Sequence, residues 1–274
     1  MFNLLKTDFK RIFKDKLLII MGILGVVFAL VNPILYKLIF SGAGEIAEAM
    51  FENYISSKTH FFEAFSLSND FGLIVPILLA IALCKDFSFG TVRNKIISGK
   101  KRWEIFLSLF VVCFTVLWCV ILIHALLTLS VSLIFFDFQS DPFTGSDFLY
   151  LLTSLGFELL VYIYVAAIIS WLCVSAKNVG IAIVLYVAAV FGFTMISGIL
   201  SIGSAVLSIK GDSQLAIDII DFFQRINVFY TSSSIGQGSE YELKDVLYYT
   251  IPPIIGTGAF LGLGLLKFNK KDLK

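Results

Sequence analysis

Charge is what this chain has least of. Asp, Glu, Lys and Arg make up 15% of its 274 residues, against about 25% in an ordinary soluble domain. Hydrophobic residues make up 58%, and the mean hydropathy is +0.91. Water is therefore not the main solvent of this fold. The net charge of +1 offers neither a basic field for nucleic acid nor a surplus of base for an acidic substrate. Histidine is nearly missing, with His60 and His124 the only two, and no HExxH, no GxSxG and no aspartyl-protease pair occurs. That argues against a membrane enzyme, and no metal site is expected. Cys84, Cys113, Cys119 and Cys173 show neither CxxC nor metal-ligand spacing and read as small apolar packing residues. There is no GxxxxGK[ST] phosphate loop, so the chain cannot hold and hydrolyse ATP by that route itself.

What the chain has instead is long hydrophobic runs. A spanning helix needs roughly 20 consecutive apolar residues, and six stretches supply them: 17–39, 66–84, 105–136, 148–174, 178–206 and 246–266. The expected fold is an all-α membrane protein, one transmembrane domain over 1–274 with six transmembrane helices. The start, MFNLLKTDFKRIFKDK, is too long and amphipathic for the basic region of a cleavable signal, so the first span is expected to stay in the membrane. With the N-terminus inside, segments 1–16, 85–104, 175–178 and 267–274 hold 16 of the 21 Lys and Arg but only five acids. The outer segments carry Glu45, Glu48, Glu52 and Glu63 against Lys58, and Asp137, Asp141 and Asp147 with no base. The positive-inside rule then places both termini in the cytoplasm.

Between the spans, helical spacing predicts further elements. Leu5, Phe9, Ile12 and Phe13 line one face of residues 1–16 and Lys6, Lys10 and Lys14 another, which makes either an amphipathic interfacial helix or a plain anchoring flank. In 40–65 the acids Glu45, Glu48 and Glu52 oppose Ile46, Met50, Phe51 and Ile55, the pattern of a short surface helix. The third span would extend about 48 Å, so it must tilt, protrude or break. Spans four and five form a tight hairpin through Ser175 to Asn178. The outer loop 207–245 holds Gln214, Asp218, Asp221 and Arg225 opposite Leu215, Ile219, Phe222, Phe223 and Ile226, a second outer surface helix, and then a turn-rich run at 231–239. Span six is expected to open on Pro252 and Pro253, with Gly256, Gly258, Gly262 and Gly264 allowing close packing.

The one sizeable inner loop follows span two. From Lys85 to Arg102 it holds six bases and one acid, with apolar Val92, Ile96 and Ile97 at helical spacing. Asp86, Phe87, Gly90, Thr91, Ser98, Gly99 and Arg102 stand in an order that resembles the permease subunits of ABC-2 type ABC transporters. That family more often has Glu at the place of Asp86 and often Pro at that of Gly99. The small bacitracin, lantibiotic and sodium export permeases look most similar in length. The resemblance implies that 86–102 is a coupling helix docking on a separate ABC ATP-binding subunit, present in two copies and carrying ATP and Mg. It also implies a second permease subunit, identical or related, and the membrane of a bacterial cell. Val92, Ile96 and Ile97 would be the apolar knobs, with Arg93, Lys95, Lys100, Lys101 and Arg102 facing an acidic rim. On charge alone, the same bases could merely enforce topology.

An ionisable residue inside the membrane is costly and marks a candidate site. Glu158 falls near the middle of span four, His124 in the outer half of span three and Asp70 near the outer end of span two, each suited to a structural pairing or to substrate contact. Lys37 and Glu104 sit where they can snorkel. Two functions follow: an ABC exporter permease for an amphipathic peptide, antibiotic or lipid-like substrate, or an ion-coupled secondary transporter or membrane scaffold without an ATPase. No repeat between the halves favours the second.

Overall fold

The computed structural model describes residues 1–43, 56–139, 142–176, 178–210 and 214–271, and every regular element among them is a helix. In chain order these are α1 (Phe2–Ile12), α2 (Lys16–Ala43), α3 (Ser57–Glu63), α4 (Asp70–Ser88), α5 (Thr91–Ile97) and α6 (Arg102–Ser132). They are followed by α7 (Gly145–Ser175), α8 (Val179–Lys210), α9 (Gln214–Ile226), α10 (Val228–Thr231) and α11 (Leu243–Lys270). Five of them, α2, α6, α7, α8 and α11, are long and apolar enough to cross a membrane. A sixth crossing is reached if Phe71–Phe87 and Thr91–Ile97, bent by 49° to one another, count as one. The chain is an all-helical, multi-pass membrane protein.

α7 is the axis of the bundle. It is the most buried of the long helices, and α4, α6, α8 and α11 all pack on it. Outward, α2, α8 and α11 leave most of their apolar surface uncovered, as suits helices bathed in lipid. Lipid gives no hydrophobic drive for helices to associate, so close approach and internal hydrogen bonds must do it. At the α7–α11 seam a Cβ on Gly256 would lie 2.4 Å from the Tyr164 ring, so only glycine lets the helices meet there. Gly258 and Gly262 face open space. Residues 1–15, 85–108, 174–176, 178–179 and 268–271 share one end of the bundle, the basal end, and the connections near 57–71, 133–139, 142–150 and 227–243 share the distal end.

Three expectations change. Of 40–65, residues 44–55, with Glu45, Glu48 and Glu52, lie outside the described residues, but α3 and the turn after it are not surface. His60, Phe61, Phe62 and Phe65 are buried. Phe65 lies 5.7 Å from Trp118 and its carbonyl accepts the Tyr162 hydroxyl at 2.6 Å. An apolar stretch too short to span reads as a loop, yet interlocking aromatic rings suffice to seat it. Second, Pro252 and Pro253 lie inside α11, which starts at Leu243 under a capping box of Glu242 and Asp245. Third, α9 is hydrogen-bonded to α8. Gln224 Nε2 donates to the Ser197 carbonyl (3.2 Å) and Ser201 Oγ (2.6 Å), and Asn227 Nδ2 to the Phe193 carbonyl (2.9 Å), so α9 folds back along α8. Gln224 is buried against α8 and Arg225 is partly buried, while Gln214 and Asp218 are exposed together with Leu215, Phe222 and Phe223.

Candidate functional site

The basal end gathers most of the residues singled out above. α4 ends on Phe89, and Gly90 adopts φ +71, a left-handed conformation that a side chain would resist, so the chain turns sharply into α5. Gly99, at φ +83, ends it in the same way before α6. Two glycines thus isolate a two-turn helix as a rigid corner.

That corner and the end of α4 are pinned to α1 and the turn after it. The Arg11 guanidinium pairs with Asp86. Lys95 Nζ meets Asp8 Oδ1 at 2.6 Å, and Ser108 Oγ donates to the other oxygen of Asp8 at 2.7 Å. Lys85 Nζ reaches Asp15 at 3.2 Å. Asp8 and Asp86 are each only 4% exposed, and a buried carboxylate needs such partners to be tolerable. Arg102 Nη1 donates to the carbonyls of Phe268, Asn269 and Lys271, at 2.7, 3.0 and 2.8 Å, and so closes the C-terminus of α11. Lys271 Nζ does the same for α7, reaching the Val174 carbonyl at 2.6 Å and lying 5.1 Å from the centre of the Phe87 ring. Its partial burial pulls its pKa below the ordinary lysine value.

The expected docking residues therefore divide. Val92 is 2% exposed and packs with Leu4, Ile105, Phe106, Val174 and Phe268, so it is no outward knob. Ile96 is half-buried against the same cluster. Asp86, Phe87, Lys95 and Arg102 are spent inside the chain, and Gly90 and Thr91 shape the turn. Facing out are Arg93, Ile97 (73% exposed), Lys101 and part of Lys100, joined by Phe89 (78%). The result is two exposed apolar side chains, Phe89 and Ile97, on a corner that also exposes positive charge. Sequence reasoning missed Asp8, Arg11 and Asp15. Asp8 was findable, because it stands with Leu4 and Ile12 at i, i+4 and i+8, an acid on the inward face of an amphipathic helix.

No family model, curated protein or solved structure matches the chain. What the site does is read from its own geometry.

The intramembrane groups lie apart from this corner. His124 is buried with Nδ1 2.9 Å from the Gly25 carbonyl. The side chain of Asp70 lies outside the described residues. Lys37 Nζ stands 5.8 Å from the centre of the Phe136 ring, and Glu104 caps the start of α6. Glu158 is fully buried, and neither carboxyl oxygen has a hydrogen-bond partner among the described residues. Such a group costs about 1–3 kcal/mol. Glu158→Leu is accordingly expected to stabilise the purified protein by about that amount, read as a rise in unfolding midpoint in detergent. A fall would mean that the carboxyl holds a partner supplied by the assembly.

Proposed function

We propose that the chain is the permease subunit of an ABC exporter, and that the outward face of α5 docks on a separate ATP-binding subunit. In this reading α4 crosses the membrane as the sixth span, both termini are cytoplasmic, and the basal end faces the cytosol. The observation that carries it is the isolated, basic corner at 89–101, held to α1 by Lys95–Asp8, beside an end of α4 that is held by Arg11–Asp86 and Lys85–Asp15. A topology signal needs only charge. It needs neither two left-handed glycines around a short helix nor a buried acid, Asp8, holding that helix from behind.

The chemistry suits force transfer. Phe89 and Ile97 fill a groove while Arg93 and Lys101 pair with acids on its rim, so a partner is gripped on both counts. Movement of that partner passes through Lys95–Asp8 and Asp86–Arg11 into α1, and through the turn at Gly90 into α4. With two permease chains, identical or related, and two ATP-binding subunits, the rocking of α4 and α1 would open a path for an amphipathic peptide, antibiotic or lipid-like substrate in a bacterial plasma membrane. ATP and Mg stay on the partner.

Affinity-tagged wild-type protein, solubilised from its native cells, is expected to retain a phosphate-loop ATPase. Ile97→Asp is expected to lose it while leaving the unfolding midpoint unchanged, since the side chain is exposed. Retention by the variant, or a wild-type chain that purifies alone and transports on an ion gradient, would overturn the proposal.

A further inference from the structure

A groove of about 690 Å³ runs along the seam between α2 and α6. Its walls are almost wholly apolar, with Ile19, Ile23 and Val26 on α2 and Val120 and Ile123 on α6, and Phe9 and Phe13 of α1 line it at the basal end. Ile19, Ile23, Val26 and Ile123 are exposed, so the groove lies open to the surrounding lipid. A Cβ on Gly22, which also lines it, would meet nothing within 4 Å, so the missing side chain leaves room in the groove. From Leu18 to Val27 the groove follows α2 for about 14 Å, and half of the hydrocarbon layer is about 15 Å. It is therefore one leaflet deep, the length of a single acyl chain.

The basal mouth is basic. Lys6 stands three residues before Phe9, Lys10 three before Phe13 and Lys16 three before Ile19, and side chains at that spacing are neighbours on a helix surface. Phe13 keeps a helical backbone, φ −63 and ψ −18, so the spacing holds to the end of α1. At about 100° per residue, Phe9, Phe13, Lys6 and Lys10 share one side of α1 and Asp8 takes the other. Helical side chains lean toward the N-terminus, so Lys16, at the start of α2, leans to the basal end. All three lysines are exposed, and none forms an ion pair among the described residues. The acids of this end are already taken, Asp8 by Lys95, Asp15 by Lys85 and Asp86 by Arg11.

Charge selects the occupant. A second copy seated here about a two-fold axis would bring its own lysines against these, and a zwitterionic lipid brings no net charge to answer them. An anionic phospholipid meets both halves of the site, since its chain is apolar and its phosphate accepts from ammonium groups. We propose that the α2–α6 groove is a binding site for an anionic phospholipid of the basal leaflet, with one acyl chain between α2 and α6 and its phosphate among Lys6, Lys10 and Lys16. The lipid then holds one side of α1 while Asp8, on the other, holds Lys95 of α5. This goes beyond the docking reading and requires no ATP-binding partner.

The test is native mass spectrometry of the purified full chain in neutral detergent, titrated with phosphatidylglycerol or phosphatidylcholine of the same acyl chains. Phosphatidylglycerol is expected to bind about tenfold more tightly. Glycerol phosphate, which has the charge and no chain, is expected to bind about a hundredfold more weakly than the lipid. The double variant Lys10→Gln with Lys16→Gln, at two exposed positions, is expected to bring phosphatidylglycerol down to the level of phosphatidylcholine. Gly22→Phe, which fills the groove without a clash, is expected to weaken both lipids about tenfold with no fall in unfolding midpoint. Equal binding of the two lipids, a preference that survives the double variant, or glycerol phosphate binding as tightly as the lipid would each overturn the proposal. So would a dimer that Gly22→Phe splits while lipid binding stays the same, which would put a second copy in the groove.

Discussion

Asp8→Leu is expected to destabilise the protein by about 3–5 kcal/mol and to release the basal corner. Asp8 is the hub on which the N-terminal helix meets the rest, since one oxygen takes Lys95 Nζ and the other the Ser108 hydroxyl. Removing it leaves the Lys95 ammonium, only 13% exposed, without a counter-charge. The loss therefore includes the cost of a stranded buried cation as well as the missing bond. The double variant Asp8→Leu with Lys95→Met removes both charges and is expected to recover most of the loss, because an apolar pair of similar volume replaces a buried ion pair at little cost. Unfolding midpoints of the two variants in one detergent measure this. If the single variant costs less than about 1 kcal/mol, as an exposed pair would, α1 is not braced in this way.

Gly236→Val is expected to cost about 2–6 kcal/mol, from two separate sources. Gly236 has φ +80, where a β-branched residue is strained, and a Cβ there would lie 2.1 Å from the Phe62 ring. The turn around it closes the distal end. Its own N–H donates to the Tyr241 hydroxyl at 3.0 Å, Gly238 N–H to the Tyr150 hydroxyl at 2.9 Å, and Lys58 Nζ to the Gly238 carbonyl at 2.9 Å. A shift at 236 therefore loosens α3, α7 and the segment leading into α11 together. Adding Phe62→Ala to the variant is expected to remove the clash but not the backbone strain, so stability returns only in part. Full return would show that the left-handed turn carries no cost.

Long apolar helices were legible in the sequence because a run of apolar residues is a one-dimensional signal. Their ends were not. Span three was read to 136, but α6 stops at Ser132. The Phe136 carbonyl turns back to accept the Ser57 hydroxyl at 2.9 Å, a partner 79 residues away that hydropathy cannot see. Span two was read from 66, yet Ser66 to Asn69 form turns in which Asn69 bonds the Glu63 carbonyl. Plugs such as Phe61 to Phe65 were missed for the opposite reason, being apolar but too short to register as spans. At the basal corner the residue types were readable and their directions were not. Val92, Ile96 and Ile97 look alike at helical spacing, and only the packing of Leu4, Phe106 and Phe268 shows which of them is turned inward.

The measurement that bears most directly on the docking of α5 is site-specific photo-crosslinking in living cells. A photoreactive residue at position 97, outward on α5, is expected to form a covalent adduct with a protein carrying a phosphate loop, and the same residue at position 92, buried behind it, is expected to form none. Adducts at 97 only with lipid, or none at all, would contradict the account.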